Sequence, residues 1–171
     1  MGEAREPLRD FQTRLAEKLK AAETTTGATS KLGVLAGGRH WLLNLDQVNE
    51  VVTVPQLAEV PWCKPWFAGV ASVRGVIYGC VDLAAFAGVA KPLPLGEARL
   101  LLAHPRFGMN AALRVERALG LRPLAELTAE PSEADKPEWT LGRWRDRAGE
   151  LWTEISVEKL VGLPAFLEAG I

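Results

Sequence analysis

The residues whose types could do chemistry in this chain are two histidines, two cysteines and a carboxylate at the end of an apolar run. Their spacing supports no reaction. His40 lies inside a predicted strand and His104 directly before Pro105. Neither stands in the His-x-x-x-His, His-Glu-x-x-His or Cys-x-x-Cys arrangements that bring ligands together around a metal. Cys63 and Cys80 have no second pair of cysteines beside them, so they are expected to stay reduced and to behave as small hydrophobes. Asp82 lacks a histidine or second carboxylate at a spacing that would make it an acid or base, and a structural role at a turn suffices for it. Gly-x-Ser-x-Gly elbows, Gly-Lys-Ser/Thr phosphate loops and Gly-x-Gly-x-x-Gly turns are missing from the sequence, which leaves nucleophilic, nucleotide-hydrolysing and dinucleotide chemistry without their usual support. The expectation is a protein with no catalytic residue, no metal and no cofactor.

A second constellation, Trp139, Trp144 and Trp152 with Arg143, Arg145 and Arg147, has the composition of a base-stacking, phosphate-holding surface. Asp146, Glu150 and Glu154 lie among those arginines and offset them, so a solvated hairpin with its tryptophans packed inward is the expected structure. The net charge of −1 and pI near 6.2 give no general pull toward nucleic acid or an anionic membrane.

The elements that must position these residues are mostly strands. A length of 171 residues suits one domain able to bury roughly 70% of its unfolded surface. Pro7 opens a segment in which Leu8, Phe11, Leu15, Leu19 and Ala22 recur at helical steps, predicting an amphipathic helix that folds back on the body or docks on a partner helix. Glu23 to Ser30 is polar and reads as a linker. The first residues lack the basic and apolar regions of a secretory signal, and no eighteen-residue window is free of charges or turn residues. A cytoplasmic protein without membrane insertion is expected.

Leu32 to Ala36 and His40 to Leu45 form a hairpin across Gly37-Gly38-Arg39. Asp46 is placed to cap one helical turn through Glu50, and Val51 to Val54 resumes a strand that Pro55 stops. Trp62, Trp66 and Phe67 follow in a proline-punctuated connection, as a core lid if buried and as a binding patch if exposed. Ala84 to Ala87 is a short helix ending at Gly88, and Lys91 to Gly96 crosses to a second half of the chain. There Arg99 to Ala103, Ala111 to Glu116, Trp139 to Trp144 and Glu150 to Ile155 read as strands. Ala129 to Glu138 reads as an exposed loop. Ser156 caps Val157 to Val161, and Pro164 begins a last short helix.

The densest pattern runs from Gly69 to Leu83. Val70 to Val73 and Val76 to Val81 are apolar and rich in β-branched residues, separated by Arg74-Gly75: two strands joined by a tight turn. Both faces of the second strand are nearly apolar, which predicts burial with few solvent contacts. Gly75 accepts positive φ, leaving Arg74 projecting from the rim as a fork of donors.

The wording Gly-Val-x-x-x-Arg-Gly, five residues, then Val-Asp-Leu, carried by Gly69, Val70, Arg74, Gly75, Asp82 and Leu83, closely resembles the signature of the CheW-like family, coupling proteins that join bacterial chemoreceptors to a histidine kinase. Ser72 stands where the family commonly has Asn, and Gly79 where it often has Pro. Val115-Glu116 replaces a family Val-Asp pair with one more methylene. The resemblance implies a mainly β fold of two packed five-stranded β-barrel subdomains with short helices. The helix and linker would occupy residues 1–30 and the CheW-like domain 31–171, its first barrel about 32–90 and its second about 97–162. It also implies two binding faces and no active site. One face of the first barrel would meet the kinase C-terminal regulatory domain, and the groove between barrels the chemoreceptor cytoplasmic tip. Arg74 matches the family position implicated in receptor contact, with Val70, Val73 and Gly75 as the wall around it and Gly69, Asp82 and Leu83 as structural signature residues.

Pro-Trp-Phe-x-Gly-Val-Ala-x-x-Arg-Gly, followed by Tyr-Gly and Val-Asp-Leu-Ala-Ala-Phe, together with the N-terminal extension, looks most like the PilI branch, whose members serve the chemotaxis-like systems of type IV pili and twitching motility. A flagellar chemotaxis coupling protein is the alternative within the family. Outside it, the alternative is a small β-barrel module with a concave aromatic site for a ligand or nucleic acid.

Overall fold

Alternating side chains decide this fold, because its central strands are apolar on both faces and each face needs a different partner. The computed structural model describes residues 30–89 and 98–170; the N-terminal helix and the Lys91–Gly96 crossing lie outside them. Among the described residues eleven strands form two sheets. They are β1 (Ser30–Ala36), β2 (Arg39–Asn44), β3 (Val48–Thr53), β4 (Phe67–Val73), β5 (Val76–Asp82), β6 (Arg99–Ala103), β7 (Ala111–Val115), β8 (Arg117–Pro123), β9 (Thr128–Glu130), β10 (Thr140–Arg145) and β11 (Leu151–Ile155). Three short helices, α1 (Leu83–Phe86), α2 (Val157–Val161) and α3 (Pro164–Leu167), complete the set.

One sheet has six strands in the order β8-β1-β2-β11-β10-β9, the other five in the order β3-β6-β7-β5-β4. Neighbours are antiparallel except β2 with β11 and β5 with β7. Sheet membership does not follow chain order. The five-stranded sheet is the continuous stretch β3 to β7, whereas the six-stranded sheet joins β1 and β2 to β8 through β11. The Lys91–Gly96 crossing, expected between two barrels, therefore falls between β5 and β6 of one sheet. The units exchange at Leu45–Gln47 and at Glu116, because parallel pairing of β2 with β11 joins residues more than a hundred positions apart.

The buried residues sort into three groups. Ala71, Tyr78, Cys80, Leu100, Leu102 and Ala112 fill the curl of the five-stranded sheet, and Leu42, Leu127 and Trp152 fill that of the six-stranded one. Between the sheets lies a shared core that includes Trp41, Leu43, Val81, Leu101, Leu113, Val115, Trp139 and Ile155. Along β6, Leu100 and Leu102 point one way and Leu101 and Ala103 the other, the period of two that a pleated strand imposes. Trp139 stacks on Trp41 and tilts against Phe86, and Phe86 meets Phe166 and Trp66 edge-on. The tryptophans of the Trp/Arg constellation thus pack inward, with Trp144 half-buried and donating to Glu154 Oε2 at 2.9 Å.

Several elements depart from the sequence pattern. β8 went unpredicted because it is an exposed edge strand broken by Gly120 at φ 83 and ended by Pro123. β9 takes two residues, Ala129 and Glu130, from the expected loop, held where Arg145 Nε donates to Glu130 Oε1 at 2.7 Å. The turn after β2 is a 3₁₀ turn, Leu45–Gln47, with Asn44 rather than Asp46 at its N-cap. β5 is not buried throughout: Val76 and Ile77 are 40% and 57% exposed. Its parallel neighbour β7 begins pairing only at Gly79, opposite Ala111, so the tip overhangs into solvent.

Asp82 is buried and performs two tasks where β5 ends. Its Oδ1 accepts from Ala85 N at 2.9 Å, capping α1, and its Oδ2 accepts from Arg114 Nε and Nη2 at 3.1 and 3.0 Å. Asp82 thus joins the end of β5 to both α1 and β7, and Leu83 beside it is fully buried. Replacing Asp82 with Ala is expected to cost about 3–5 kcal/mol, since Arg114 would remain buried without its counter-charge. Urea denaturation measures it; a loss below about 1 kcal/mol, the scale of a surface pair, would contradict the role.

Candidate protein-docking surface

The β4–β5 hairpin is set by backbone conformation at three positions. Arg74 and Gly75 have φ of 50° and 82°, and Val73 pairs with Val76 across them. Positive φ at both central residues is what a two-residue turn needs to match strand twist. A Cβ on Gly75 would meet nothing within 4 Å, so glycine is favoured there by φ alone. Gly69 is different. Its φ is 129°, and a Cβ would lie 2.5 Å from the carbonyl oxygen of Ala58.

That close approach closes the five-stranded sheet. Ala58 N donates to Val70 O at 2.8 Å and Val70 N to Ala58 O at 2.9 Å, so the connection after β3 pairs with the outer edge of β4. At the rim, the Arg74 guanidinium contacts Glu50 Oε2 on β3, the opposite edge strand. The two edges of the sheet are therefore joined at the side and at the tip. Val73 is half-buried against the sheet interior, while the Arg74 side chain is 69% exposed. Val70, half-buried, pairs with Gly79 further down β4 and on the face opposite Val73, whereas Val73, Arg74 and Gly75 form the tip with the overhanging Val76 and Ile77. Period-two alternation could not reveal those two as exposed, because only the register with β7 decides it.

The three rings of the proline-rich connection separate. Trp66 stacks on Phe166 at 6.2 Å, and Phe67 packs on the core, but Trp62 is 81% exposed at a φ of 56°. A groove of about 550 Å³ among the described residues is lined by none of them, but by Arg39, His40, Lys136, Trp139, Arg143 and Glu150 among others.

The remaining candidates have the following neighbours. The His40 ring meets Trp152 edge-on at 4.8 Å, with Nδ1 2.9 Å from Glu150 Oε1. His104 Nδ1 accepts from Arg106 N at 3.1 Å. Both cysteines are free thiols, Cys63 half-buried and Cys80 buried. Burial pushes the Cys80 thiol up to about 11, with the Arg114 charge opposing. Asp146, held below the usual carboxylate range by the hydrogen bond from Trp152 Nε1, ends a chain in which Arg122 lies over the Trp152 ring. Arg143 and Arg145 pair with Glu133 and Glu130. Among the described residues no group of three or more His, Cys, Asp or Glu converges as a metal site. Glu116, the longer residue of the Val115-Glu116 pair, accepts from Gly38 N at 3.0 Å and so ties the β1–β2 turn to the end of β7. Arg114 and Glu50 are the two working residues the sequence pattern did not single out; each is legible only as the partner of a signature residue.

Such a molecule, two curled β-sheets sharing a core and carrying a hairpin that overhangs one of them, belongs to the class of small, mostly β domains. Residues 31–164 match the family described as CheW-like domain, and the chain belongs to that family. Protein PilI of Pseudomonas aeruginosa is 32% identical over 109 residues, covering 64% of this chain and 61% of that protein; the match thus spans about three fifths of the relative's length. The scaffolding protein TtCheW of Thermoanaerobacter tengcongensis has the same fold, with a TM-score of 0.66 at 17% identity over 80% of this chain and 94% of that one.

The two glycines give a paired prediction. Gly69→Ala is expected to destabilise by more than about 2 kcal/mol, combining positive-φ strain with a backbone clash. Gly75→Val, with strain but no clash, is expected to cost about 1–2 kcal/mol. Chemical denaturation of both variants checks the order; a Gly69→Ala protein as stable as the parent would mean that the Ala58–Val70 closure is not formed.

Proposed function

We propose that this protein is a non-catalytic cytoplasmic adaptor that couples a chemoreceptor to a histidine kinase, in the chemotaxis-like system that controls type IV pili and twitching motility. The observation that carries the reading is the closed rim at Arg74. An exposed guanidinium on a rigid turn, flanked by Val73, Gly75 and the overhanging Val76 and Ile77, with Val70 further down β4, offers a charged anchor with apolar surroundings, the composition of an interface centre. Arg74 would pair with a carboxylate or cap exposed carbonyls at the receptor's helical tip. A separate face of the five-stranded sheet would meet the kinase C-terminal regulatory domain. The similarity to Protein PilI supports the pilus system in particular. Among the described residues no helix is long and apolar enough to cross a membrane, which agrees with an adaptor that meets the membrane only through its receptor.

Arg74→Glu is expected to weaken receptor binding by about 2 kcal/mol, the scale of a hot spot, and to leave the fold intact, since an exposed ion pair contributes about 0–1 kcal/mol. The exchange Arg74→Glu with Glu50→Arg restores the rim pair while reversing its polarity. If Arg74 contacts the receptor directly, the double variant stays weak; full recovery would mean that it serves only the rim. Titration calorimetry with the purified regulatory domain, at low and high salt, tests the second face. One-to-one binding that largely survives salt is expected, and no binding to either partner would overturn the adaptor reading.

A further inference from the structure

The groove of about 550 Å³ draws its lining from both halves of the molecule. Thr153 on β11 lies opposite Trp41 on β2 in one direction and Arg143 on β10 in the other. One row across three strands therefore carries an indole, a small hydroxyl and a guanidinium abreast on one face of the six-stranded sheet. Trp139, stacked on Trp41 at 6.1 Å, adds a second ring. Ala87 and Val89, which follow α1, complete the lining together with residues of the 132–137 segment. The site is not the hairpin rim. Ala87 and Val89 follow the end of β5 whereas Arg74 precedes its start, and the six strand steps from Val76 to Asp82 span about 20 Å.

The charges in this groove do not cancel. Its two carboxylates are engaged, Glu133 Oε1 with Arg143 Nη1 and Glu150 Oε1 with His40 Nδ1, both at 2.9 Å. Lys136 Nζ donates only to the carbonyl oxygen of Leu141, at 3.2 Å, and Arg39, exposed at the start of β2, has no carboxylate partner among the described residues. Two cations are left over, beside apolar surface from Leu151, Val89 and the buried Trp41 and Trp139. We propose that the groove binds a small organic anion, a carboxylate or phosphate ester bearing an apolar ring, with its anionic oxygens on Arg39 and Lys136 and its ring against Trp139 and Leu151. The volume agrees, since small-molecule sites occupy about 300–1,000 Å³. Ionised oxygens would also gain the stronger hydrogen bonds that a guanidinium and an ammonium donate. An extended acidic segment of another protein is the poorer occupant. A strand docks on main-chain groups at a free sheet edge, and β2, β10 and β11 each have a strand on both sides. The inference goes beyond the adaptor reading and does not depend on which partner the rim takes.

The test uses the full chain and two matched fluorescent probes, anilinonaphthalene sulfonate and the neutral phenylnaphthylamine that lacks its sulfonate. Arg39→Glu reverses an exposed charge, and Thr153→Phe sets a bulky residue suited to a strand on the groove floor; thermal melting checks that both variants fold. The sulfonate is expected to bind once per chain, about tenfold more tightly than the neutral probe and about tenfold more weakly to Arg39→Glu, the scale of one charge-assisted hydrogen bond. Thr153→Phe is expected to weaken both probes. Equal affinity for the two probes, or sulfonate binding unchanged in either folded variant, overturns the proposal. An oligoglutamate peptide that binds more tightly than the sulfonate would assign the groove to a protein segment and overturn it equally.

Discussion

The central strands of this protein have to be buried on both faces at once, and most of the architecture follows from that. β2, β5, β6 and β7 each turn alternate residues into the curl of their own sheet and into the core between sheets. A strand in this position has no solvent face to carry charge, so its sequence is apolar almost throughout. Polar groups are admitted only with a partner, because an unpaired buried charge costs several kcal/mol. Asp82 and Arg114 satisfy each other across the parallel β5–β7 pair, and the leftover carboxylate oxygen caps α1. Lys31 and Glu154 do the same in the six-stranded sheet, where Trp144 supplies the second donor.

Functional geometry follows from how the five-stranded sheet closes. Its edges β3 and β4 are not hydrogen-bonded to each other directly. The connection between them folds back at Ala58, which Gly69 permits by having no side chain, and Arg74 meets Glu50 at the rim. A hairpin secured at both ends does not need a partner to order it. The signature residues therefore divide by physical role: Gly69, Asp82 and Leu83 build the support, while Arg74 and its neighbours are what the support presents.

The Glu116 carboxylate reaches the amide of Gly38, where the β1–β2 turn has both glycines at positive φ. The joint between the two sheets is thus fastened at the chain's return from β7 to β8.

The amino-acid sequence by itself determined the local pieces: both glycine-containing hairpin turns, a turn role for Asp82, the Ser156 cap, inward tryptophans, and the family wording from Gly69 to Leu83. These depend on residues a few positions apart, whose steric and hydrogen-bonding preferences act before any long-range contact forms. Tertiary structure alone decided which strands share a sheet, that Val76 and Ile77 overhang while Tyr78 and Cys80 are buried, that Trp62 parts from Trp66 and Phe67, and that Glu50 and Arg114 complete the rim and the core. Each of those outcomes depends on pairing between distant segments, β2 with β11, β5 with β7 and Cys63 with Gly170. Periodicity records which faces are apolar; it carries no information on which neighbour covers them, and so the surface left uncovered emerges only when the sheets are assembled.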